Sequence, residues 1–530
     1  MMKVLYRKSR WLHKVLGLIL IPFLIWMSIS GIILNHPELM AQIDVPSWLI
    51  PSPYKIDNWN RSSIIGTVQT SDRSIYLYGK KGVWHVANTN SIRFLGNGFP
   101  ESAFLQKTYH LILLTQGKDS LLLAATDGGL FFSHLKDLEW HEIPLPGKAE
   151  KLKKILFVQN SLLVIGESNL YRCSLEQFPG PFTIVTPNRL ENEKRITLVQ
   201  LFFDLHDGKV WGLLGRLLMD LMGLIIIFAS ITGFYVWFWP WRTKKLATVR
   251  FKPQTINRLR SWNKWHIKIG AIVAVFFLIL AGTGLFMRPP FLVAIAEKTL
   301  PAHYYPGKLS SNPWEHKIHN ALYDAQRQRL IIATADGLWS GPPQLDRPFK
   351  KIELNVPIFV MGPTHFEALP NGHYRIASFS GIFDYNPSQD QAIDLLTGQK
   401  AKNISTVRPA ELMVTGYFEL KDGSKWITAH EQGICNLQGQ PVHLWPVPKE
   451  LNTQHTLSLW NYMFEIHNGR IFKFLIGDFY ILIIPLGSIM FLLITLCGLF
   501  DWAYRKFRKP ILQSSGYPEE ILVGQPPVEV

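Results

Sequence analysis

The sequence near the N-terminus reads Arg10-Trp11-Leu12-His13-Lys14-Val15-Leu16-Gly17 and continues as an apolar run that closes on Ser30-Gly31. A similar stretch returns in mid-chain as Lys264-Trp265-His266-Ile267-Lys268-Ile269-Gly270, followed by an apolar run that closes on Thr283-Gly284. In both copies, glycines lie four and eighteen residues after the histidine. Eighteen residues make five turns of an α-helix, so each histidine shares a helix face with its glycines.

A histidine flanked by glycines leaves a slot for a flat ligand, and haem is the flat ligand that paired histidines of membrane helices bind. The pattern therefore predicts that His13 and His266 ligate haem iron and that four glycines line the haem: Gly17, Gly31, Gly270 and Gly284. The alternative is that the histidines are ordinary interfacial residues and the glycines serve close helix packing. Recurrence at the same offsets in a second helix favours ligation.

Four apolar segments are long enough to span a membrane as helices: residues 15–34, 217–239, 269–287 and 479–500. Basic residues cluster before the first segment, between the second and third, and after the fourth. The positive-inside rule assigns these clusters, with both termini, to the cytoplasm. The formal net charge of +16 is then a topology signal, so we expect membrane lipid, and not nucleic acid, as a partner.

The predicted organisation alternates membrane helices with two large extracytoplasmic regions. Its segments are 1–35 (cytoplasmic N-terminus and first helix), 36–205 (first β region), 206–241 (second helix), 242–264 (cytoplasmic basic loop), 265–288 (third helix), 289–466 (second β region), 467–504 (fourth helix) and 505–530 (disordered cytoplasmic tail). The chain has three cysteines and no CxxCH motif, so a bound haem would be non-covalent and of the b type.

Both extracytoplasmic regions contain short apolar runs in pairs separated by turn residues, which is typical of β-hairpins. Ile75–Tyr78 precedes Gly82–Val86, for example, and Leu330–Asp336 precedes Gly337–Trp339. The turn positions recur every 40 to 52 residues, at 82, 129 and 169 and again at 337, 381 and 433, which is the period of β-propeller blades. We expect an all-β region in which both halves together form one six-bladed β-propeller; two separate β-domains are the alternative.

A second duplicated motif precedes the second and fourth membrane segments. It reads Phe203-Asp204-Leu205-His206-Asp207-Gly208-Lys209 in the first copy and Phe464-Glu465-Ile466-His467-Asn468-Gly469-Arg470 in the second. Asp-Gly and Asn-Gly form turns, so a turn alone could explain the glycine. A turn does not require a histidine at the same position in both copies, and His206 and His467 are therefore predicted iron ligands as well.

The chain is thus an internal duplication. Pseudo-symmetry would bring His13 near His266 on the cytoplasmic side and His206 near His467 on the outer side, where these axial histidines would hold two b haems. His36 lies 23 residues after His13, about 35 Å along a helix. It either ligates iron in the outer leaflet or caps the helix end.

These motifs and their flanks resemble the PepSY-associated transmembrane family, which includes iron-regulated inner-membrane proteins and ferric-siderophore reductases of Gram-negative bacteria. The resemblance covers the four helices and rests on Arg10, Trp11, His13, Gly17, Gly31, His206, Gly208, Gly233, His266, Gly270, Gly284, His467, Gly469 and Gly498. It implies b haem bound by helix histidines, a bacterial inner-membrane location, and electron transfer from the cytoplasmic side to a ferric chelate in the periplasm. The outer regions depart from the family pattern, because no small α/β PepSY module is recognisable there.

The leading hypothesis is a haem b membrane protein that passes electrons to a periplasmic acceptor, with reduction of a ferric siderophore as one use. The cytoplasmic segments are too short for a nicotinamide or flavin domain, so quinol or a separate reductase would donate the electrons. The alternative is a membrane-anchored periplasmic binding or signalling protein without a redox centre.

Overall fold

The computed structural model describes residues 2–88, 91–116, 119–190, 195–245, 253–401, 409–453 and 457–513. The chain divides into two compact units. Unit 1 comprises residues 1–36, 196–308 and 463–530 and contains the long apolar helices, whereas unit 2 comprises 37–195 and 309–462 and contains the small β-sheets. Residues 246–252 of the predicted basic loop and 514–530 of the predicted disordered tail lie outside the described residues.

The prediction of four membrane helices is confirmed. The α-helices are α1 (Met2–Leu34), α2 (Pro37–Met40), α3 (Leu198–His206), α4 (Gly212–Lys245), α5 (Pro253–Phe286), α6 (Phe291–Ile295), α7 (Glu450–Thr453), α8 (Leu459–His467), α9 (Lys473–Ile476) and α10 (Ile483–Gln513). Four spans among the described residues are long and apolar enough to cross a membrane: Met2–Leu34, Lys209–Arg242, Gln254–Phe286 and Arg470–Phe507. All four long helices extend beyond the predicted spans. Helices α1 and α4 begin before residues 15 and 217, α5 begins within the predicted loop 242–264, and α10 continues into the predicted tail 505–530.

The long helices pack through apolar side chains and, at one point, through a glycine that leaves room for a neighbouring ring. Helix α1 contacts α4 and α10, and α5 contacts the same two helices. Their shared core includes Leu20 of α1, Met222 of α4 and Phe277 of α5, which contacts Phe491 of α10 with ring centroids 5.5 Å apart. The ring of Phe23 occupies the space that a side chain at Gly487 would need. The glycine therefore allows α1 and α10 to approach closely.

Unit 2 consists of many small sheets in which consecutive strands pair in antiparallel fashion. In chain order these sheets are β1 (Gly66–Gln69), β2 (Ile75–Gly79), β3 (Gly82–Asn88) and β4 (Ser91–Phe94); β5 (Thr108–Gln116), β6 (Asp119–Thr126), β7 (Gly129–His134) and β8 (Trp140–Ile143); β9 (Leu152–Val158), β10 (Ser161–Gly166), β11 (Leu170–Ser174) and β12 (Thr183–Val185); β16 (Ile318–Asp324), β17 (Arg329–Thr334), β18 (Gly337–Gly341) and β19 (Phe349–Ile352); β20 (His365–Ala368), β21 (Tyr374–Ser378), β22 (Gly381–Asn386) and β23 (Gln391–Asp394); and β24 (Val414–Glu419), β25 (Lys425–Ala429) and β26 (Gly433–Cys435). In addition, β13 (Arg189–Leu190) runs parallel to β19. A separate pair, β14 (Arg195–Thr197) with β15 (Thr299–Pro301), lies almost entirely in unit 1.

The paired apolar runs found in the sequence are the second and third strands of these sheets. Ile75–Tyr78 lies in β2 and Gly82–Val86 in β3, for example. Gly82 has a φ of 76°, which L side chains rarely adopt, so glycine makes this tight turn possible. The first strands were not predicted because several of them carry charged or polar residues, such as Lys154 in β9 and His365 in β20.

The first strands of successive sheets contact one another. Strand β1 contacts β5, followed by β5 with β9, β9 with β16, β16 with β20, β20 with β24, and β24 with β1. Buried clusters lie between the sheets, and two of them combine both polar regions of the chain. One joins Leu163 and Ile165 to Trp314, and the other joins Trp59 to Trp445. The two regions, separated in sequence by α4 and α5, therefore share a hydrophobic core.

The second of these clusters gives a stability prediction. Trp59 is completely buried, and its Nε1 donates to the carbonyl of Trp445 at 3.1 Å. We expect Trp59→Ala to lower the free energy of unfolding of unit 2 by about 3–5 kcal/mol, because the substitution leaves a cavity and removes this bond. Thermal unfolding of the full-length protein in detergent measures the effect. The control is Trp48→Ala, at a residue that is 80% exposed. This substitution should change the free energy of unfolding by less than about 0.5 kcal/mol. Equal melting temperatures for the two variants would contradict the prediction.

Candidate functional site: two histidine pairs

The four motif histidines lie in two pairs within unit 1. The rings of His13 in α1 and His266 in α5 have centroids 6.2 Å apart and planes at 80°. The rings of His206 and His467, the last residues of α3 and α8, have centroids 6.3 Å apart and planes at 71°. These are called the 13/266 pair and the 206/467 pair. Each pair combines the two copies of one duplicated motif.

A turn ends the helix directly after each histidine of the 206/467 pair. Gly208 and Gly469 have φ values of 81° and 77°, in the left-handed region that favours glycine. The preceding Asp207 and Asn468 each accept a hydrogen bond at 2.9 Å from the backbone N–H two residues later. The Asp-Gly and Asn-Gly pairs thus form the turns that their sequence indicates, and each turn fixes the last helical residue, the histidine.

Each imidazole lies against a glycine of a helix other than its own. A Cβ built on the glycine would lie 3.3–3.4 Å from the Cε1 atom of the histidine. The contacts are His13 with Gly498 of α10, His266 with Gly233 of α4, His206 with Gly284 of α5, and His467 with Gly31 of α1. Since a larger side chain would extend further into the ring, glycine allows each imidazole to lie on the neighbouring helix.

The helix that carries the glycine also binds Nδ1 of the same ring. Three of the Nδ1 atoms lie 2.8–3.1 Å from a hydroxyl oxygen, and the fourth lies 2.8 Å from a backbone carbonyl. The hydroxyls are Ser30 for His467, Thr283 for His206 and Thr232 for His266, and the carbonyl is that of Ile494 for His13.

These contacts determine which ring nitrogen carries the proton. Each hydroxyl already donates its only hydrogen, at 2.6–2.8 Å, to a carbonyl one turn earlier in its own helix. Each hydroxyl oxygen must therefore accept from the imidazole, as a carbonyl must, so the proton of the neutral ring lies on Nδ1 in all four histidines. Within the described residues no hydrogen bond reaches any of the four Nε2 atoms, which keep their lone pairs for a ligand.

The spacing within each pair fits a metal ion between two axial imidazoles. Metal–nitrogen bonds of about 2.0–2.1 Å on opposite sides of one ion would place the ring centroids roughly 6.3–6.5 Å apart. The observed 6.2 and 6.3 Å agree closely. In the described part of the chain, no group of three or more His, Cys, Asp or Glu side chains is placed to hold a metal ion. Two imidazoles are too few for a bare ion but are the axial complement of a porphyrin iron, so this donor set fits haem.

The eighteen-residue spacing has a different role from the one inferred from the sequence. Gly31 and Gly284 do not flank His13 and His266, because they contact the histidines of the other pair. Since α1 carries both His13 and the glycine beside His467, the two pairs are separated by about 27 Å along that helix. Helix α5 repeats this arrangement with His266 and Gly284. The spacing therefore sets the distance between the pairs, which is close to the thickness of a membrane's apolar core.

The other sequence candidates occupy different environments. A Cβ on Gly17 or Gly270, one turn after His13 and His266, would meet no atom within 4 Å, so space is open at these two glycines. His36 is not grouped with the four motif histidines. Its Nε2 lies 2.9 Å from Asp220, which also accepts a hydrogen bond from Asn35 at 2.8 Å. The nitrogen that a metal would need is thus engaged by a carboxylate.

Sequence reasoning missed the residue that precedes each of the contacting glycines. The dipeptides are Ser30-Gly31, Thr232-Gly233, Thr283-Gly284 and Cys497-Gly498. The sequence did contain a signal for these residues, because a small polar residue precedes a glycine at corresponding places in all four helices. In three of them the hydroxyl orients an imidazole, whereas in the fourth a carbonyl one turn before Gly498 does so. Arg288, one turn beyond Gly284, was also missed: its Nε is buried without a partner in the described residues, which suits the carboxylates that a haem carries.

Comparison with known proteins gives one family match. A family model described as "PepSY-associated TM region" matches residues 10–505. No curated protein matches the chain. The solved structures to which it is similar include the extracellular domain of a one component system, BT4673, from B. thetaiotaomicron (14% identity, TM-score 0.33, 74% of this chain and 39% of that chain). Another is the extracellular domain of the hybrid two component system BT3049 from B. thetaiotaomicron (10% identity, TM-score 0.34, 71% of this chain and 39% of that chain).

A third similar structure is PorZ, a surface component of the type-IX secretion system of Porphyromonas gingivalis (10% identity, TM-score 0.32, 74% of this chain and 38% of that chain). The chain spans about two fifths of the length of these proteins. TM-scores this low carry no argument about its fold or activity. The family match is different in kind, because it covers nearly the whole chain and includes all four motif histidines with the glycines that they contact. This protein belongs to the PepSY-associated transmembrane family.

Proposed function

We propose that this protein binds two b-type haems, one at each histidine pair, and passes electrons across a membrane to an extracytoplasmic acceptor. The observation that carries the proposal is the pairing of imidazoles at 6.2 and 6.3 Å with unprotonated Nε2 atoms. Haem iron alternates between ferric and ferrous states and so supplies one-electron transfer. His13 and His266 would hold the haem at one site, and His206 and His467 at the other.

The surrounding residues hold these ligands ready. Ser30, Thr232 and Thr283 keep the proton on Nδ1 and orient the rings, which raises the basicity of Nε2. Helices α1 and α5 fix the distance between the two sites at about 27 Å. Two sites separated in this way would relay electrons through the apolar part of a membrane.

The charge distribution supports a direction for this transfer. The basic flanks 3–14, 242–268 and 505–509 favour a cytoplasmic location for both termini, in a bacterial inner membrane. The 13/266 pair would then lie toward the cytoplasm and the 206/467 pair toward the periplasm. No nucleotide-binding motif marks an electron donor in the sequence, so quinol or a separate reductase would supply the electrons.

Unit 2 would be the periplasmic part that receives the acceptor. The sequence of contacts among its first strands, from β1 through β24 and back to β1, supports a single six-bladed β-propeller assembled from both halves of the chain. A ferric chelate, such as a ferric siderophore, is a fitting acceptor, because oxygen-donor ligands hold ferrous iron less tightly than ferric iron. A protein with this architecture would thus reduce external iron complexes.

Removal of a motif histidine tests the haem sites. We expect His206→Ala or His467→Ala to remove roughly half of the bound haem, because each deprives one site of an axial ligand while the 13/266 pair stays intact. A reduced-minus-oxidised absorption spectrum with a pyridine haemochrome assay measures this loss. His36→Ala should keep the full haem content, since Asp220 already engages its Nε2. Wild-type protein without a Soret band after haem-replete expression would overturn the proposal and leave the membrane-anchored binding or signalling protein as the alternative.

Two glycines of α5 provide a matched test of the ring contacts. A Cβ at Gly284 would lie 3.3 Å from Cε1 of His206, whereas one at Gly282 would meet nothing within 4 Å. Gly284→Val should displace the imidazole and abolish the spectrum of the 206/467 site, while Gly282→Val should leave both sites unchanged. The same haem assays distinguish the two variants. Identical spectra from both would show that the contact with Gly284 does not position His206.

The hydrogen bond made by the Thr283 hydroxyl can be tested separately from the packing of the Thr283 side chain. Thr283→Val keeps the side-chain volume but removes the acceptor for Nδ1 of His206, so haem affinity at that site should fall about 10–100-fold. Competition for haem with apomyoglobin measures the affinity. Thr283→Ser retains the hydroxyl and should bind nearly as tightly as the wild type. An affinity loss of the same size in both variants would attribute the effect to packing and not to the hydrogen bond.

A further inference from the structure

In the described part of the chain, one largely buried lysine of unit 2 makes no ion pair within hydrogen-bonding distance. Lys154 lies in β9, the first strand of its sheet, and only 8% of the residue is exposed. Among the described residues, no hydrogen bond or ion pair reaches its ammonium group. Burial of most of the side chain removes part of the hydration of the ammonium, and no hydrogen bond within the described residues replaces it. Such a group is typical of a site that receives an anion.

A second donor lies beside it on the neighbouring first strand. Nδ1 of His110, in β5, accepts a hydrogen bond at 3.3 Å from the backbone N–H of Ile155, the residue after Lys154. The proton of the neutral ring is therefore on Nε2, which can donate to a ligand. The ring of Tyr78, in β2, contacts His110 with centroids 6.2 Å apart, so three sheets meet at this point.

Two side chains of β20 act electrostatically on these donors. His365 and Glu367 are hydrogen-bonded there at 3.1 Å, and the Glu367 side chain is 52% exposed. The Glu367 carboxylate acts electrostatically on Lys154, and His365 acts on His110.

We propose that Lys154 and His110 bind the carboxylate of a small hydroxycarboxylate, with Glu367 accepting a hydrogen bond from its hydroxyl group. An ammonium and an adjacent N–H donor match the two oxygens of a carboxylate. This site belongs to unit 2 alone and does not depend on the proposed haem chemistry. Burial lowers the pKa of Lys154 to about 8, while Glu367 opposes that shift, so most of the lysine is protonated at pH 7.

Citrate is the probe, and binding to the purified full-length protein is measured by isothermal titration calorimetry at pH 7. Lys154→Met should weaken citrate binding at least about tenfold, because a charge-assisted hydrogen bond is lost. Lys153→Met is the matched control. Lys153 is the adjacent residue of the strand, its ammonium lies 4.3 Å from the ring of Tyr109, and its substitution should leave the affinity unchanged. Absence of binding at millimolar citrate, or equal losses in both variants, would overturn the proposal.

Two further measurements distinguish a ligand site from a structural lysine. Without citrate, Lys154→Met should melt at the same temperature as the wild type or higher, because a largely buried charge without a hydrogen-bond partner has been removed. With citrate, only the wild type should gain stability. Only the protonated lysine is expected to bind the anion. Above the pKa of Lys154 the protonated fraction falls about tenfold per pH unit, so the citrate affinity of the wild type should fall by about the same factor. A melting temperature that falls in Lys154→Met together with unchanged citrate binding would assign the residue a structural role.

Discussion

The contact of each imidazole with a glycine on a different helix is the constraint on which the membrane unit depends. It joins α1 to α10, α5 to α4, α3 to α5, and α8 to α1. Each contact is reinforced by a hydrogen bond from Nδ1 to the same glycine-bearing helix. The histidines are therefore fixed by packing as well as by their own helices, which is what a preorganised ligand set requires.

The duplicated motifs were enough to predict which histidines lie together in pairs, but not how they are held. Periodicity along one helix shows which residues share a face, and it suggested that Gly31 belongs with His13. The actual neighbour of Gly31 is His467, far away in sequence, and only the packing of α1 against α8 brings them together. The hydroxyls were overlooked for the same reason, since a serine or threonine before glycine has no recognisable partner until the tertiary structure is known.

In the β-rich unit, the limits of prediction follow from strand composition. The middle strands of each sheet are apolar and end at turn residues, so they were found from the sequence. The first strands β9 and β20 carry Lys153, Lys154, His365 and Glu367 among apolar residues and have no clear alternation. These less regular strands are the ones that contact one another and bring charged groups into the interior. The strands that were hardest to predict are thus the ones through which successive sheets contact one another.

Helices α1 and α5 each supply a histidine to one pair and a glycine to the other, and this arrangement has a mechanical consequence. If α1 moved along its axis, His13 would shift relative to Gly498 by the same distance that Gly31 shifts relative to His467. The two ends of the bundle cannot rearrange independently, so a disturbance at one membrane face would be transmitted to the opposite face without any intermediate change in side-chain conformation.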